Sequence, residues 1–198
     1  MLTEGQRGVS LIEMMVGLGI ASLLIVAGAP AFTAWIQNSQ NRAAAESILN
    51  GLQLARVEAV KRNAIVRFDL TDASGRVAWN VGCVTVTSEC PASIQRRIAE
   101  DGFVNARVGV STATIPSPTP VGYFSSPIAA GTGLEAGASF NGMGRIPTDD
   151  TDTDVTRIDV TNAASASSRR YVVTIDPGGQ TRMCDPALEF SSNPQGCS

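Results

Sequence analysis

The chain of 198 residues contains no histidine. That absence removes histidine-based catalytic triads, most catalytic zinc sites and the usual general base near neutral pH. The sequence also lacks a G-x-S-x-G elbow, a phosphate-binding P-loop and a G-x-G-x-x-G dinucleotide fingerprint. Nothing in it therefore points to an enzyme or to a resident cofactor. Its four cysteines are not spaced as C-x-x-C pairs, so no zinc pattern is present and no metal site is expected from them. Charge is scarce as well. The net value is −3, and Glu4 and Arg7 cancel near the N-terminus, so no global basic field draws the chain to nucleic acid or anionic lipid. Any such contact rests on a local patch.

What the sequence has in excess is one apolar run, Gly8 to Ile36, with no charged residue from Met14 to Asn41. As a helix, Met14 to Ile36 spans about 34 Å at ~1.5 Å per residue, against a hydrocarbon core of ~30 Å. Glu13 stands near its start, where a carboxylate at membrane depth costs on the order of 3 kcal/mol unless something pairs with it. An ordinary secretory signal is one competing reading: Met14 to Val26 makes an h-region and Ala27-Gly28-Ala29 a small-x-small cleavage site. Pro30 would then follow the cut directly and block it. A plain single-pass anchor is the other. Charge does not decide orientation, since Arg7 on one side is matched by Arg42 on the other.

Gly8, Val9 and Glu13 place a glycine at the end of a short polar leader and a glutamate at the fifth residue of the apolar helix. This register resembles the class III signal of type IV pilins and pseudopilins, and Pro30 falls where the pilin helix often carries a kink. Further on, LARVEAVKRNAIVRF, ASFNGMGRI and RRYVVTIDPGGQTR are similar to the helix exit and last strands of FimT/FimU-type minor pilins and GspH pseudopilins. The resemblance implies cleavage between Gly8 and Val9, N-methylation of Val9 by a prepilin peptidase, and docking of Glu13 onto a neighbouring subunit. It also implies an inner-membrane stage with a periplasmic domain, then incorporation among other major and minor pilins in a filament.

After the apolar run, Ala44, Ile48, Leu52, Ala55 and Ala59 recur at helical spacing and draw one apolar stripe. The segments expected are thus a leader at 1–8, a membrane or filament-core half-helix at 9–36, an amphipathic half at 37–63, and a β domain at 64–198. Pro30 removes one backbone hydrogen bond and kinks the helix without ending it. Gly17, Gly19, Gly28 and Gly51 fit either loose packing or a softened helix.

From Ala64 the apolar period becomes two. Strands are expected at Ala64–Leu70, Val77–Cys83 across the turn Asp72 to Gly75, Ile94–Ile98 and Phe103–Val110. Thr112 to Pro120 and Ile128 to Gly137 read as irregular surface connection. Further strands are expected at Ala138–Arg145, Val155–Thr161 and Arg170–Asp176, the last meeting Thr181–Cys184 across Pro177 to Gln180. The fold class is α+β and type IV pilin-like, with a long N-terminal helix packed on an antiparallel sheet.

Cys83 with Cys90 and Cys184 with Cys197 form two close pairs in a chain whose leader places its body outside the cytoplasm, so disulfides are expected. Three connectivities exist, of which adjacency favours the local one. Asp149 to Asp154 offers carboxylates at alternate positions, but Val155 and Thr161 stand where a calcium loop has glycine and glutamate. A solvated loop is the better reading. Arg169, Arg170 and Arg182 gather near the terminal hairpin, as solubilising charges or a phosphate contact. The DNA-binding FimT-type pilins carry a terminal Gly-Arg-x-Arg, and Gly179-Gln180-Thr181-Arg182 lacks its first arginine. DNA is therefore the disfavoured partner, and a minor pilin of the priming or tip complex is the expected function, with the GspH role in a secretion pseudopilus as alternative.

Overall fold

The computed structural model describes residues 9–148 and 154–197. One helix and eight strands follow in order: α1 (Leu11–Arg62), β1 (Val66–Leu70), β2 (Trp79–Cys83), β3 (Gln95–Arg97), β4 (Ala106–Ser111), β5 (Ala136–Phe140), β6 (Arg157–Asn162), β7 (Tyr171–Ile175) and β8 (Thr181–Cys184). The chain divides into two compact units, one ending at Ile36 and the other starting at Gln37, and α1 contributes to both. The helix continues through Pro30. It ends at Asn63, the one non-glycine residue among those described with a left-handed backbone (φ 48°).

In the second unit the stripe Ala44, Ile48, Leu52, Ala55 and Ala59 is fully buried. Small residues on this stripe let the sheets approach the helix axis. At Gly51 an added Cβ would stand 2.7 Å from the Phe68 ring, and Phe68 in turn packs against Trp79 with ring centroids 5.8 Å apart. The indole N–H of Trp79 donates to Ser47 Oγ at 3.1 Å, which satisfies the one polar atom this cluster buries from the ring.

The strands form two antiparallel four-stranded sheets, β3-β2-β1-β5 and β4-β6-β7-β8, where the periodicity alone had suggested one. Val66, Phe68 and Leu70 of β1 point to the main core, with Arg67 and Asp69 on the opposite face. Strand boundaries differ from expectation chiefly after β5, where Asn141 to Arg145 turns instead of extending. The Asn141 carboxamide accepts the N–H groups of Met143 and Arg145 at 3.0 and 3.1 Å, so a side chain replaces the sheet ladder there.

The second sheet is covered on both faces. Ile158, Val160, Tyr171, Val173 and Ile175 join the main core. Val172 and Cys184 on the other face pack with Phe124 and Cys197 in a smaller cluster. The connection between β4 and β5, expected to be surface, thus straps across this sheet and buries Phe124.

Cys83 bonds Cys90 and Cys184 bonds Cys197. Loops of 7 and 13 residues separation each contribute roughly 2–3 kcal/mol by restricting the unfolded chain. The chain leaving the first loop folds back on β2 so tightly that a Cβ at Gly82 would lie 1.9 Å from the Ala92 carbonyl oxygen. Gly82→Ala is expected to destabilise the protein by about 1–3 kcal/mol, because that backbone must shift to admit a methyl group. Thermal unfolding compared with wild type checks it; an unchanged melting temperature would contradict the close approach.

Candidate functional site

At its start the apolar half-helix is held by Ser10, whose hydroxyl accepts the Glu13 N–H at 3.3 Å, an N-cap arrangement. Glu13 therefore sits in the first turn, where the helix dipole favours a carboxylate by ~0.3–1 kcal/mol. That is less than the ~3 kcal/mol cost of the same group at membrane depth. The cap alone does not balance insertion. Val9, Leu11, Ile12, Leu23 and Trp35 are all more than three-fifths exposed, and α1 is long and apolar enough to cross a membrane. Gly8 and the leader lie outside the described residues, as do Asp149 to Thr153 of the acidic run. Among the described residues, no cluster of three or more His, Cys, Asp or Glu side chains is placed to hold a metal ion.

In the second unit the first buried turns of the helix are held by amide side chains. Asn41, fully buried, donates to the Arg169 carbonyl at 2.9 Å and accepts from Asn162 Nδ2 at 3.0 Å. The Asn38 carboxamide accepts the Arg169 N–H at 2.7 Å. These bonds key the helix to the β6–β7 hairpin in a single register, since a slip by one residue would leave buried amides unpaired. At the other end of the helix the Glu58 carboxylate accepts from Arg62 Nε at 2.7 Å and from Lys61 Nζ at 3.2 Å. The hydrogen bond from Arg62 holds the Glu58 carboxyl below the usual glutamate range despite its burial.

The three arginines singled out from the sequence are all engaged. Arg170 donates to the fully buried Asp159 and to the Phe124 and Ser125 carbonyls. Asp159 is also gripped by Arg157 through Nε at 2.7 Å and Nη2 at 3.0 Å, and accepts the Ile128 N–H at 3.0 Å. Arg157 reaches on to the Ser126 carbonyl at 2.8 Å, its guanidinium lying 5.0 Å from the Phe124 ring centroid. One buried carboxylate thus orients two arginines whose free donors fasten the strap. Arg182 donates to the Pro194 and Gly196 carbonyls and stacks 4.5 Å over Phe190. It clasps the C-terminal segment that the Cys184–Cys197 bond closes. Arg169 stands 3.1 Å from Asp185. They form separate ion pairs and clasps, not one open cationic surface.

The turn Pro177 to Gln180 packs on the turn Asn141 to Arg145: a Cβ at Gly179 would stand 2.1 Å from the Gly144 carbonyl, which also accepts from Arg56 Nε at 3.0 Å. Gly179, at φ 76°, is required both for the left-handed backbone and for the approach. Two segments far apart in sequence that carry the resemblance therefore meet at the end of α1. Asp159 and Arg157 escaped sequence reading, and the only signal was a charged pair alternating inside an apolar strand.

A model of the family described as type II transport protein GspH matches residues 44–179, and a model of the prokaryotic N-terminal methylation motif matches residues 5–29. Among solved structures the chain is similar to the type IV minor pilin FimU of Pseudomonas aeruginosa in two crystal forms. One has 19% identity and a TM-score of 0.48, covering 83% of this chain and 99% of that one. The other has 19% identity and a TM-score of 0.44, covering 79% and 99%. No curated protein matches the chain. With the first model spanning more than half of its length, the chain belongs to the GspH family of minor pilins and pseudopilins.

Proposed function

We propose that this protein is a non-enzymatic minor pilin that docks into a type IV pilus, in its priming or tip complex, and supports pilus assembly. The observation that carries the proposal is the exposed apolar half of α1 with a single carboxylate, Glu13, at its N-terminal turn. Such a surface is stable in lipid before assembly and against other pilin helices afterwards. In this reading a prepilin peptidase cuts after Gly8 and methylates Val9, and the protein waits in the inner membrane with its β domain in the periplasm. Glu13 then meets the terminal amine of a neighbour. Intact mass of protein from native membranes is expected to correspond to a methylated chain beginning at Val9. A start at Met1 or Pro30 would overturn it.

The family's description as type II transport protein GspH favours one second reading, a pseudopilin of type II secretion. Deleting the gene and scoring surface pili and secreted proteins together separates the two: loss of pili with intact secretion supports the pilus, the converse the pseudopilus. Duplex DNA is expected to bind weakly, with Kd ~10⁻⁴ M or weaker near physiological salt, because Arg169, Arg170 and Arg182 are committed within the fold. Low-micromolar binding in a gel-shift titration, lost in Arg182→Ala, would reverse that order.

A further inference from the structure

On the outer face of α1 the solvent-facing stripe changes chemistry toward the C-terminal end of the helix. Asn50 and Gln53 are exposed amides. At the next positions of the same stripe stand Val57 and Val60, 59% and 51% exposed. Met143, 75% exposed, lies beside them: a Cβ at Gly144, the next residue, would stand 3.3 Å from Val60 Cγ2 and 3.1 Å from Arg56 Nε. One apolar strip therefore spans a helix and a turn that are fastened to each other by the Arg56 bond to the Gly144 carbonyl, where the solvent face of a helix is normally polar. Its flanks are cationic. Among the described residues neither Arg56 nor Arg145 forms an ion pair; Arg56 gives its Nε to Gly144, and Arg145 is exposed. Acids close by are already engaged, since Glu58 holds Lys61 and Arg62, and Asp176 in the adjoining turn accepts the Gln180 N–H.

We infer that this strip docks an acidic segment of a partner protein. Apolar side chains of the partner seat on Val57, Val60 and Met143, and its carboxylates pair with the Arg56 and Arg145 guanidinium groups, so that an apolar centre is ringed by complementary charge. The two arginines oppose a basic partner. The strip carries no Trp, Phe or Leu, the side chains that enter a lipid interface, and a nucleic-acid phosphate backbone offers nothing apolar to cover three such side chains. The thioether chain of Met143 adapts to the contour of what it meets. The inference does not depend on which filament the protein enters.

The full chain is held in phosphatidylcholine nanodiscs and titrated by fluorescence anisotropy against a labelled peptide of alternating glutamate and leucine pairs, with empty nanodiscs as reference. Two control peptides carry serine in place of every leucine or lysine in place of every glutamate. The acidic apolar peptide is expected to bind with a Kd of about 0.1 mM or tighter, and each control at least ~10-fold more weakly, because it meets only half of the surface. Met143→Ser and Arg145→Glu alter exposed side chains, so the melting temperature should hold while affinity for the peptide falls at least ~5-fold in each. Phosphatidylglycerol vesicles and duplex DNA serve as competitors, and neither should displace the peptide as well as its own unlabelled form does. No binding, equal binding by either control peptide, unchanged affinity in either variant, or more effective displacement by the vesicles or by DNA would each overturn the proposal.

Discussion

Asp159→Ala is expected to destabilise the protein by about 3–5 kcal/mol, the cost of removing one partner from a buried ion pair. Asp159 is fully buried and takes hydrogen bonds from Arg157, Arg170 and the Ile128 backbone. Alanine leaves the Arg157 and Arg170 guanidinium groups without the carboxylate they share. Their remaining bonds run to carbonyls of the strap, Phe124, Ser125 and Ser126. The strap should then loosen, and with it the small cluster of Phe124, Val172 and the Cys184–Cys197 bond. For a domain of this size the loss corresponds to a fall in melting temperature of roughly 10 °C. Thermal denaturation in mild detergent measures it. Asp159→Asn keeps the shape and one acceptor and should fall between alanine and wild type. A loss of under about 1 kcal/mol in the alanine variant would mean that the strap is held by something other than this carboxylate.

Glu13→Ala is expected to leave the protein in the membrane but to remove it from filaments by at least tenfold. In the membrane the substitution relieves a cost of on the order of 3 kcal/mol, so insertion should not suffer. Against a neighbour the balance reverses. An amine and a carboxylate ~4 Å apart attract by about 4 kcal/mol at an effective dielectric of ~20, enough to offset the burial cost and favour docking. Removing the carboxylate leaves the neighbour's amine unpaired in an apolar bundle. Membrane fractions and sheared filaments, compared by immunoblot for wild type and variant, read the two effects separately. Wild-type abundance of the variant in filaments would remove Glu13 from the docking step.

The sequence by itself determined the parts whose information is local. The stripe Ala44, Ile48, Leu52, Ala55, Ala59 repeats at helical period and is buried throughout, and the alternation of Val66, Phe68 and Leu70 marks β1 with its inward face. Both patterns are written within a few neighbouring residues, so no other part of the chain is needed to read them. The apolar run and its lone carboxylate are legible for the same reason.

Only the tertiary structure decided the rest. Whether eight strands make one sheet or two depends on which edges meet, and strand patterns carry no label for their partners. Arg170 reaches the Phe124 carbonyl of the strap, 46 residues away, and Arg182 clasps Gly196 at a separation of 14. On the sequence these arginines look like free surface charge. In the fold, desolvation makes an unpaired charge costly, and each one settles beside the nearest carboxylate or carbonyl that the path of the loops supplies.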